Sequence, residues 1–311
     1  MESNVIEDFE CSLAFSNAPK LQKLFNFPFL IRSLYLRLLN FGYDRFQTTR
    51  KVQGKTFFDL PIQLILPEVV SSAIYRCGFI DFEVDLIRFI LRYLKPGMTF
   101  LDIGAHIGFY SLLASYMVGE KGYVHSFEPT KSIFSLLKEN AAVRDNIVTN
   151  NSAVWSQNSD IPFNDYGIKY SAFNSTFVAR LSEQDRQKLF VEKTNTYTIQ
   201  TVSIDSYVEQ TGLLPDFVKI DAESAEYEIL QGMCETLSEV KPILMLEVGD
   251  LGSDDAISTS RILVEYLLDR GYQAFELKSG NIQLHSILRR YEYANLFFIH
   301  NSKTDAIGIT S

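Results

Sequence analysis

Apolar positions along the chain change their period from one segment to the next. From Asp81 to Leu94 they recur at helical spacing in Phe82, Val84, Ile87, Ile90, Leu91 and Leu94, and Pro96-Gly97 stops the run. Short apolar runs then alternate with helical stretches. The pattern predicts strand 98–103, helix 107–118, strand 123–128, helix 131–144 and strand 147–151. After a polar interval it predicts strand 217–220, helix 223–239, strand 243–248, helix 256–270, and strands near 272–277 and 295–300. Such alternation points to an α/β fold, a mostly parallel, doubly wound sheet with helices on both faces. Upstream, Thr56 to Leu66 reads as one or two short strands turned at Pro61, and Pro67 to Tyr75 as a short helix.

The segment 21–43 is strongly apolar, yet Lys23, Arg32 and Arg37 interrupt it too often for a membrane-spanning helix. It predicts an amphipathic helix packed on the main domain or on a second subunit of a homo-oligomer. The alternative is peripheral contact with anionic lipid through those cations. The chain is accordingly expected to divide into a helical extension (1–55), a lead-in of short strands and helices (56–96), a main domain (97–303) and a tail (304–311).

Two strand ends carry the first chemistry. The first strand runs into Asp102-Ile103-Gly104-Ala105-His106-Ile107-Gly108, and the next closes on Ser126-Phe127-Glu128-Pro129. A strand that feeds a helix through glycines brings bare backbone N–H groups and a positive helix terminus to a ligand. A carboxylate closing the following strand can accept hydrogen bonds from ribose hydroxyls. An adenosine-containing cofactor is therefore expected. Dinucleotide sites need G-x-G-x-x-G so that a pyrophosphate can approach the backbone, and here His106 stands where the second glycine belongs. S-adenosylmethionine, with a ribose but no pyrophosphate, fits this turn better than NAD. An NAD-dependent oxidoreductase remains the alternative enzyme.

Four acids, Asp102, Glu128, Asp221 and Glu247, fall at or just past expected strand ends, and Glu223 and Glu226 follow Asp221 within a turn. Clustered buried carboxylates are costly unless a cation or many donors satisfy them, and a sulfonium is such a cation. Helix capping would also explain Glu223 and Asp221, and Glu226 is either part of the site or solvated surface. A divalent metal on Asp221, Glu223 and Glu247 is a further alternative, although the spacing does not demand one.

Composition narrows the partners. The 311 residues are 46% hydrophobic and 22% charged with a formal net charge of −9, which argues against nucleic acid as the main partner. Cys11, Cys77 and Cys234 lie far apart without C-x-x-C, as expected for a reducing, cytoplasmic protein without a zinc site. Glu2, Glu7, Asp8 and Glu10 occupy the place where a secretory signal would be basic and then apolar.

Taken in order, several segments resemble the FkbM-type S-adenosylmethionine-dependent methyltransferases. Leu101 to Ser111 is similar to that family's cofactor turn, Ser126 to Pro129 to its second strand end, and Phe217-Val-Lys-Ile-Asp-Ala-Glu-Ser-Ala-Glu-Tyr-Glu-Ile-Leu230 to its most characteristic segment. Thr201 to Tyr207, Lys241 to Glu247 and Asn295 to Ile299 continue the likeness, which covers roughly residues 56 to 300. One departure is Glu223-Ser224, where the family usually has Glu-Gly.

The resemblance implies a class I methyltransferase fold of seven strands, the last inserted antiparallel, and O-methylation of a hydroxyl on a sugar or secondary metabolite. It implies that Asp102, Gly104, Ala105 and Gly108 hold the methionine end of the cofactor, Glu128 its ribose, and Ser152, Ala153 and Val154 its adenine. It also puts Asp221 beside the donor methyl. An alcohol is a poor nucleophile until its proton leaves, so a base is expected: Asp221 first, His106 second, with Glu247 nearby. Enzymes that methylate planar nitrogen commonly carry an Asn-Pro-Pro-Tyr-like segment where this chain has Asp221-Ala-Glu-Ser. A catalytically silent scaffold is the non-enzymatic alternative, and the intact Asp102, Gly104, Gly108 and Glu128 count against it. Segment 155–200 holds aromatics such as Trp155, Phe163, Tyr166, Tyr170, Phe173 and Phe177, suited to stacking on a sugar or to ordinary core packing.

Overall fold

The computed structural model describes residues 2–19, 27–176, 195–250, 259–278 and 280–304. Residues 21–26 of the apolar N-terminal segment, Phe177, and residues 256–258 of the expected helix lie outside them. The chain begins with α1 (Glu2–Asn17) and α2 (Phe27–Phe46), then a hairpin of β1 (Arg50–Lys55) and β2 (Pro61–Leu66). Short helices α3 (Val69–Cys77) and α4 (Val84–Tyr93) follow. The alternating region then gives β3 (Thr99–Ile103), α5 (Phe109–Val118), β4 (Tyr123–Phe127), α6 (Lys131–Ala141) and β5 (Ile147–Asn150).

Beyond it lie β6 (Ala153–Val154), β7 (Asp160–Asp165), a 3₁₀ turn (Ile168–Phe173), β8 (Asn195–Val202) and α7 (Ile204–Thr211). The chain continues through β9 (Phe217–Ile220), α8 (Glu226–Gln231), β10 (Ile243–Val248), α9 (Thr259–Leu268), β11 (Tyr272–Lys278), β12 (Asn281–Leu284) and β13 (Ala294–His300).

The main sheet has the order β12-β11-β13-β10-β9-β3-β4-β5. Strands β5, β4, β3, β9 and β10 pair in parallel, while β13 inserts antiparallel between β10 and β11. This is the class I methyltransferase arrangement, here with β12 added at one edge as a hairpin partner of β11. Neighbouring strand residues face opposite layers, as the two-residue period requires. Phe100, Phe217 and Phe297 join a core with α1, α4, α5 and α6, whereas Leu101, Val218 and Phe298 join one with α7, α8 and α9. Helix α5 lies wholly inside, nine of its ten residues being buried, and its apolar surface runs all the way round.

The differences from expectation have local causes. The lead-in strands fall at 50–55 and 61–66, so the hairpin turns at 56–60 and β1 lies within what read as a helical extension. The helix expected over 223–239 is broken: Glu223 and Ser224 both take positive φ (46° and 90°), delaying α8 until Glu226, and Thr236–Val240 forms a separate π turn. Ser224 thus adopts the left-handed conformation that favours glycine, at the position where the sequence departs from the family pattern. The unread interval after residue 155 contributes β7 and β8, an antiparallel pair that β6 extends.

The N-terminal helices are attached differently. Helix α1 buries Val5, Phe9 and Leu13 in the core, Phe9 packing on Phe57 and Phe79, and its Glu10 pairs with Arg88 of α4. Helix α2 buries Leu36 and sets Tyr35 against Tyr75 of α3, yet Leu38 and Phe41 are 71% and 75% exposed. Among the described residues no helix is long and apolar enough to cross a membrane.

Candidate functional site

The carboxyl ends of β3, β4, β9 and β10 open on one cavity of about 340 Å³, within the range of small-ligand pockets. Its wall is completed by Val69 and Val70 of α3, Phe82 and Glu83 before α4, and Ser171 and Ala172 of the 3₁₀ turn. Of the residues singled out in the sequence, Gly104, Ala105, His106, Glu128, Ser152, Ala153, Val154, Asp221, Glu223 and Glu247 all line it.

The turn after β3 is built for close approach. Gly104 has φ +76°, and a Cβ there would stand 1.8 Å from the Asp221 carbonyl oxygen, so only glycine lets the ends of β3 and β9 meet. His106 also takes a positive φ, 50°. Its backbone N–H donates to Glu128 Oε2 (3.1 Å), while Thr130 N–H donates to Oε1 (2.8 Å). Burial pushes the Glu128 carboxyl up, against the His106 and Thr130 groups around it. The His106 ring is hydrogen bonded through Nε2 to Ser171 Oγ at 2.8 Å, and its buried Nδ1 has no partner among the described residues.

Asp102 and Gly108 do not reach the cavity. Gly108 caps α5 behind the wall with φ +89°. Asp102 is fully buried on the α5 side of the sheet, where Ser111 Oγ donates to its Oδ2 at 2.6 Å and Ser126 Oγ donates to Ser111. A direct contact from Asp102 to the cofactor is therefore not what its position offers; its carboxyl lies between Ser111 of α5 and Lys219 of β9. Its odd-numbered spacing from Leu101 explains this, because alternate strand residues face opposite layers and the side chain points under α5.

Lys219, which the sequence reading passed over, organises the opposite side. It is 2% exposed, with Nζ 3.0 Å from Asp221 Oδ2, 3.9 Å from Asp102 Oδ1 and 5.0 Å from the centre of the Tyr110 ring. Burial alone would lower its pKa, but Asp221, Asp102 and Glu83 outweigh burial and raise it. Asp221 keeps 26% side-chain exposure toward the cavity. Burial pushes its carboxyl up, yet Lys219 and a hydrogen bond from Glu247 bring it below the usual carboxylate range. Glu247 takes the opposite fate: burial and the Asp221 charge push it up to about 11, so it holds the proton that the two carboxyls share. Asp221 is thus placed as the hydrogen-bond acceptor of the pair and Glu247 as the donor.

Glu83 and Tyr110 complete this cluster. Tyr110 Oη donates to Glu83 Oε2 at 2.6 Å, and burial together with the Asp221 charge pushes Glu83 up to about 7. Tyr293, which also lines the cavity, is raised chiefly by burial. A lysine inside the apolar run Phe217-Val-Lys-Ile was the legible sign of Lys219; Glu83 gave none. Glu226 is not solvated: it is buried, and its Oε1 accepts from the N–H groups of Ala222 (3.2 Å) and Ser224 (3.0 Å), tying down the strained turn. Glu223 lines the cavity, and its carbonyl accepts from Ser175 Oγ at 2.9 Å. Among the described residues no three acids, histidines or cysteines are grouped so as to hold a metal ion.

A family profile described as the methyltransferase FkbM domain matches residues 102–274, more than half of the chain. The chain belongs to the FkbM methyltransferase family. The matched region begins inside β3 and ends inside β11, so Glu83, and β13 with its neighbour Tyr293, fall outside it. Hexuronic acid methyltransferase AglP of Haloferax volcanii is 28% identical over 174 residues, 55% of this chain and 65% of that protein. The chain therefore matches just under two thirds of the length of this curated relative. Similar solved structures include the FkbM methyltransferase of Methylobacillus flagellatus, 16% identical with a TM-score of 0.40, covering 74% of this chain and 53% of that one. Another is Aeropyrum pernix fibrillarin bound to S-adenosyl-L-methionine, 13% identical with a TM-score of 0.38, covering 69% and 73%.

Proposed function

We propose that this protein is an S-adenosylmethionine-dependent O-methyltransferase acting on a hydroxyl of a sugar or related secondary metabolite. The observation that carries the reading is a single cavity, at the carboxyl edge of an FkbM-family sheet, holding Glu128 on one side and the ionised Asp221 on the other. The residues fit the cofactor. Glu128 accepts one backbone bond at each oxygen and a further bond from the Thr130 hydroxyl, which leaves its carboxylate acceptor capacity for a ribose hydroxyl. His106 Nδ1 and Thr176 Oγ1 are buried polar atoms of cavity-lining residues with no partner among the described residues.

In this reading Gly104, Ala105 and His106 hold the methionine end, with Gly108 starting α5 behind them and Asp102 bonded to Ser111 of that helix. Glu128 takes the ribose, and Ser152, Ala153 and Val154 the adenine. The bound cofactor supplies an electrophilic methyl group on a sulfonium. Asp221, kept ionised by Lys219, accepts a hydrogen bond from the acceptor hydroxyl and so fixes its approach. Its depressed pKa makes it a weak base, which suffices if the proton leaves as the new C–O bond makes the oxygen strongly acidic. Glu247, protonated, supports Asp221 rather than competing for that proton. His106 is a wall group whose ring is oriented by Ser171.

The hexuronic acid methyltransferase relative supports a sugar acceptor, and the net charge of −9 supports a partner other than nucleic acid. The boundaries 56–96 for the lead-in and 97–303 for the methyltransferase domain belong to the same proposal, as does a cytoplasmic setting, which the three unpaired cysteines support. The test is calorimetric titration with S-adenosylhomocysteine, followed by transfer of labelled methyl to a panel of neutral sugars, uronic acids and nucleic acids. Binding of NAD with no affinity for S-adenosylhomocysteine would overturn the reading in favour of the oxidoreductase.

A further inference from the structure

Glu83 is the N-cap residue of α4 but its carboxylate does not cap that helix. An acid at this position ordinarily accepts from the first free N–H groups. Here the side chain turns instead into the cavity and accepts from Tyr110 Oη, which rises from the first turn of α5. The groups that face it are Asp221, Lys219, Tyr110 and Asp102, with Tyr293 adjacent.

The charges of this cluster do not balance. Lys219 brings one positive charge, already shared between Asp221 and Asp102, while Glu247 is neutral through its shared proton. A third carboxylate at Glu83 has only a share of that same cation: burial first, and then the Asp221 charge, push it up to about 7 although Lys219 draws it down. Such a group calls for a cation. Glu128 and Ser152–Val154 on the β4–β5 side suit the neutral adenosine, leaving the β3–β9 side for the charged amino-acid end of the cofactor.

Resting on the cofactor reading above, we infer that Glu83, oriented by Tyr110, is the binding residue for the α-ammonium group of S-adenosylmethionine, so that the lead-in before the matched domain forms part of the cofactor site. Asp221 is thereby left to the acceptor hydroxyl. No covalent step is involved.

The test compares two probes on the full-length chain by calorimetry: S-adenosylhomocysteine, which carries the ammonium, and 5′-methylthioadenosine, which has the adenosine and sulfur but no amino-acid end. Glu83→Gln keeps shape and removes charge. It should weaken S-adenosylhomocysteine binding at least tenfold at pH 8 and change methylthioadenosine binding less than twofold. The wild type should show a matching pH effect. Binding of the ammonium favours ionised Glu83, so a proton must be released below pH 7, and affinity for S-adenosylhomocysteine should fall about tenfold from pH 8 to pH 6. This fall should vanish in Glu83→Gln and be absent for methylthioadenosine.

Unchanged S-adenosylhomocysteine affinity in Glu83→Gln, with or without a loss of turnover, would overturn the assignment, as would an equal loss for both probes. Absence of S-adenosylhomocysteine binding to the wild type would instead overturn the cofactor reading itself.

Discussion

The two sides of the cavity satisfy their acids by different means. On the β4–β5 side a single carboxylate, Glu128, is held chiefly by the backbone N–H groups of His106 and Thr130, with the Thr130 hydroxyl beside them and Phe127, Val154 and Phe163 nearby in the wall. On the β3–β9–β10 side Asp221, Glu247 and Glu83 are held by side chains: one lysine, one tyrosine and one shared proton. Backbone donors are fixed by the fold, so Glu128 is a rigid acceptor. Side-chain donors carry charge that a ligand can complement or displace, so the second group is a titrating network whose balance changes when a ligand arrives.

If that contrast holds, the largest effect should come where the two sides meet. Gly104→Val places a branched side chain where even a Cβ would lie 1.8 Å from the Asp221 carbonyl. S-adenosylhomocysteine binding should be undetectable by calorimetry, with a lowered melting temperature.

Lys219→Met tests whether the second side depends on its one cation. It leaves Asp102 fully buried and Asp221 half-buried without a counter-charge and should cost about 3–5 kcal/mol of unfolding free energy by denaturant titration. A loss under about 1 kcal/mol, the scale of an exposed pair, would mean that the network relaxes and the contrast is false.

Asp221→Asn removes the charge and preserves shape. Turnover should fall about 10²-fold or more with S-adenosylhomocysteine affinity nearly unchanged. Wild-type turnover would return the search for the acceptor's partner to His106 and Glu247.

The smallest of these effects sharpens the other side. Glu128→Ala should weaken S-adenosylhomocysteine by about 1.5–3 kcal/mol, the range for a hydrogen bond to a charged group. Methylthioadenosine should lose as much, because it keeps the ribose. Equal sensitivity to probe type at Glu128 and Glu83 would erase the distinction between the two sides.

Much of this architecture was readable before any tertiary contact was known. Strands 217–220 and 243–248 fall where the apolar runs put them, and the glycine turn and Glu128 stand at one cavity, because strand period and turn chemistry are local properties of the chain. The helix expected directly after Asp221 starts late because its apolar spacing continues through a turn whose positive φ angles at Glu223 and Ser224 are held by side-chain hydrogen bonds. Ser175 and Glu226 supply those bonds to the turn's carbonyl and N–H groups.

By itself, then, the sequence determined the α/β alternation, the family likeness, and which acids end which strands. Only the tertiary structure decided what those acids are. Asp102 points beneath α5, Lys219 draws Asp221 down, burial and the Asp221 charge push Glu247 up, and Glu83 enters the site from the N-cap position of α4, outside the matched domain. The physical reason is that a carboxyl group's charge state depends on burial and on the nearest opposite charge. Lys219 meets Asp102 across 117 positions of sequence and a single strand pairing, a proximity that no local pattern in the chain encodes.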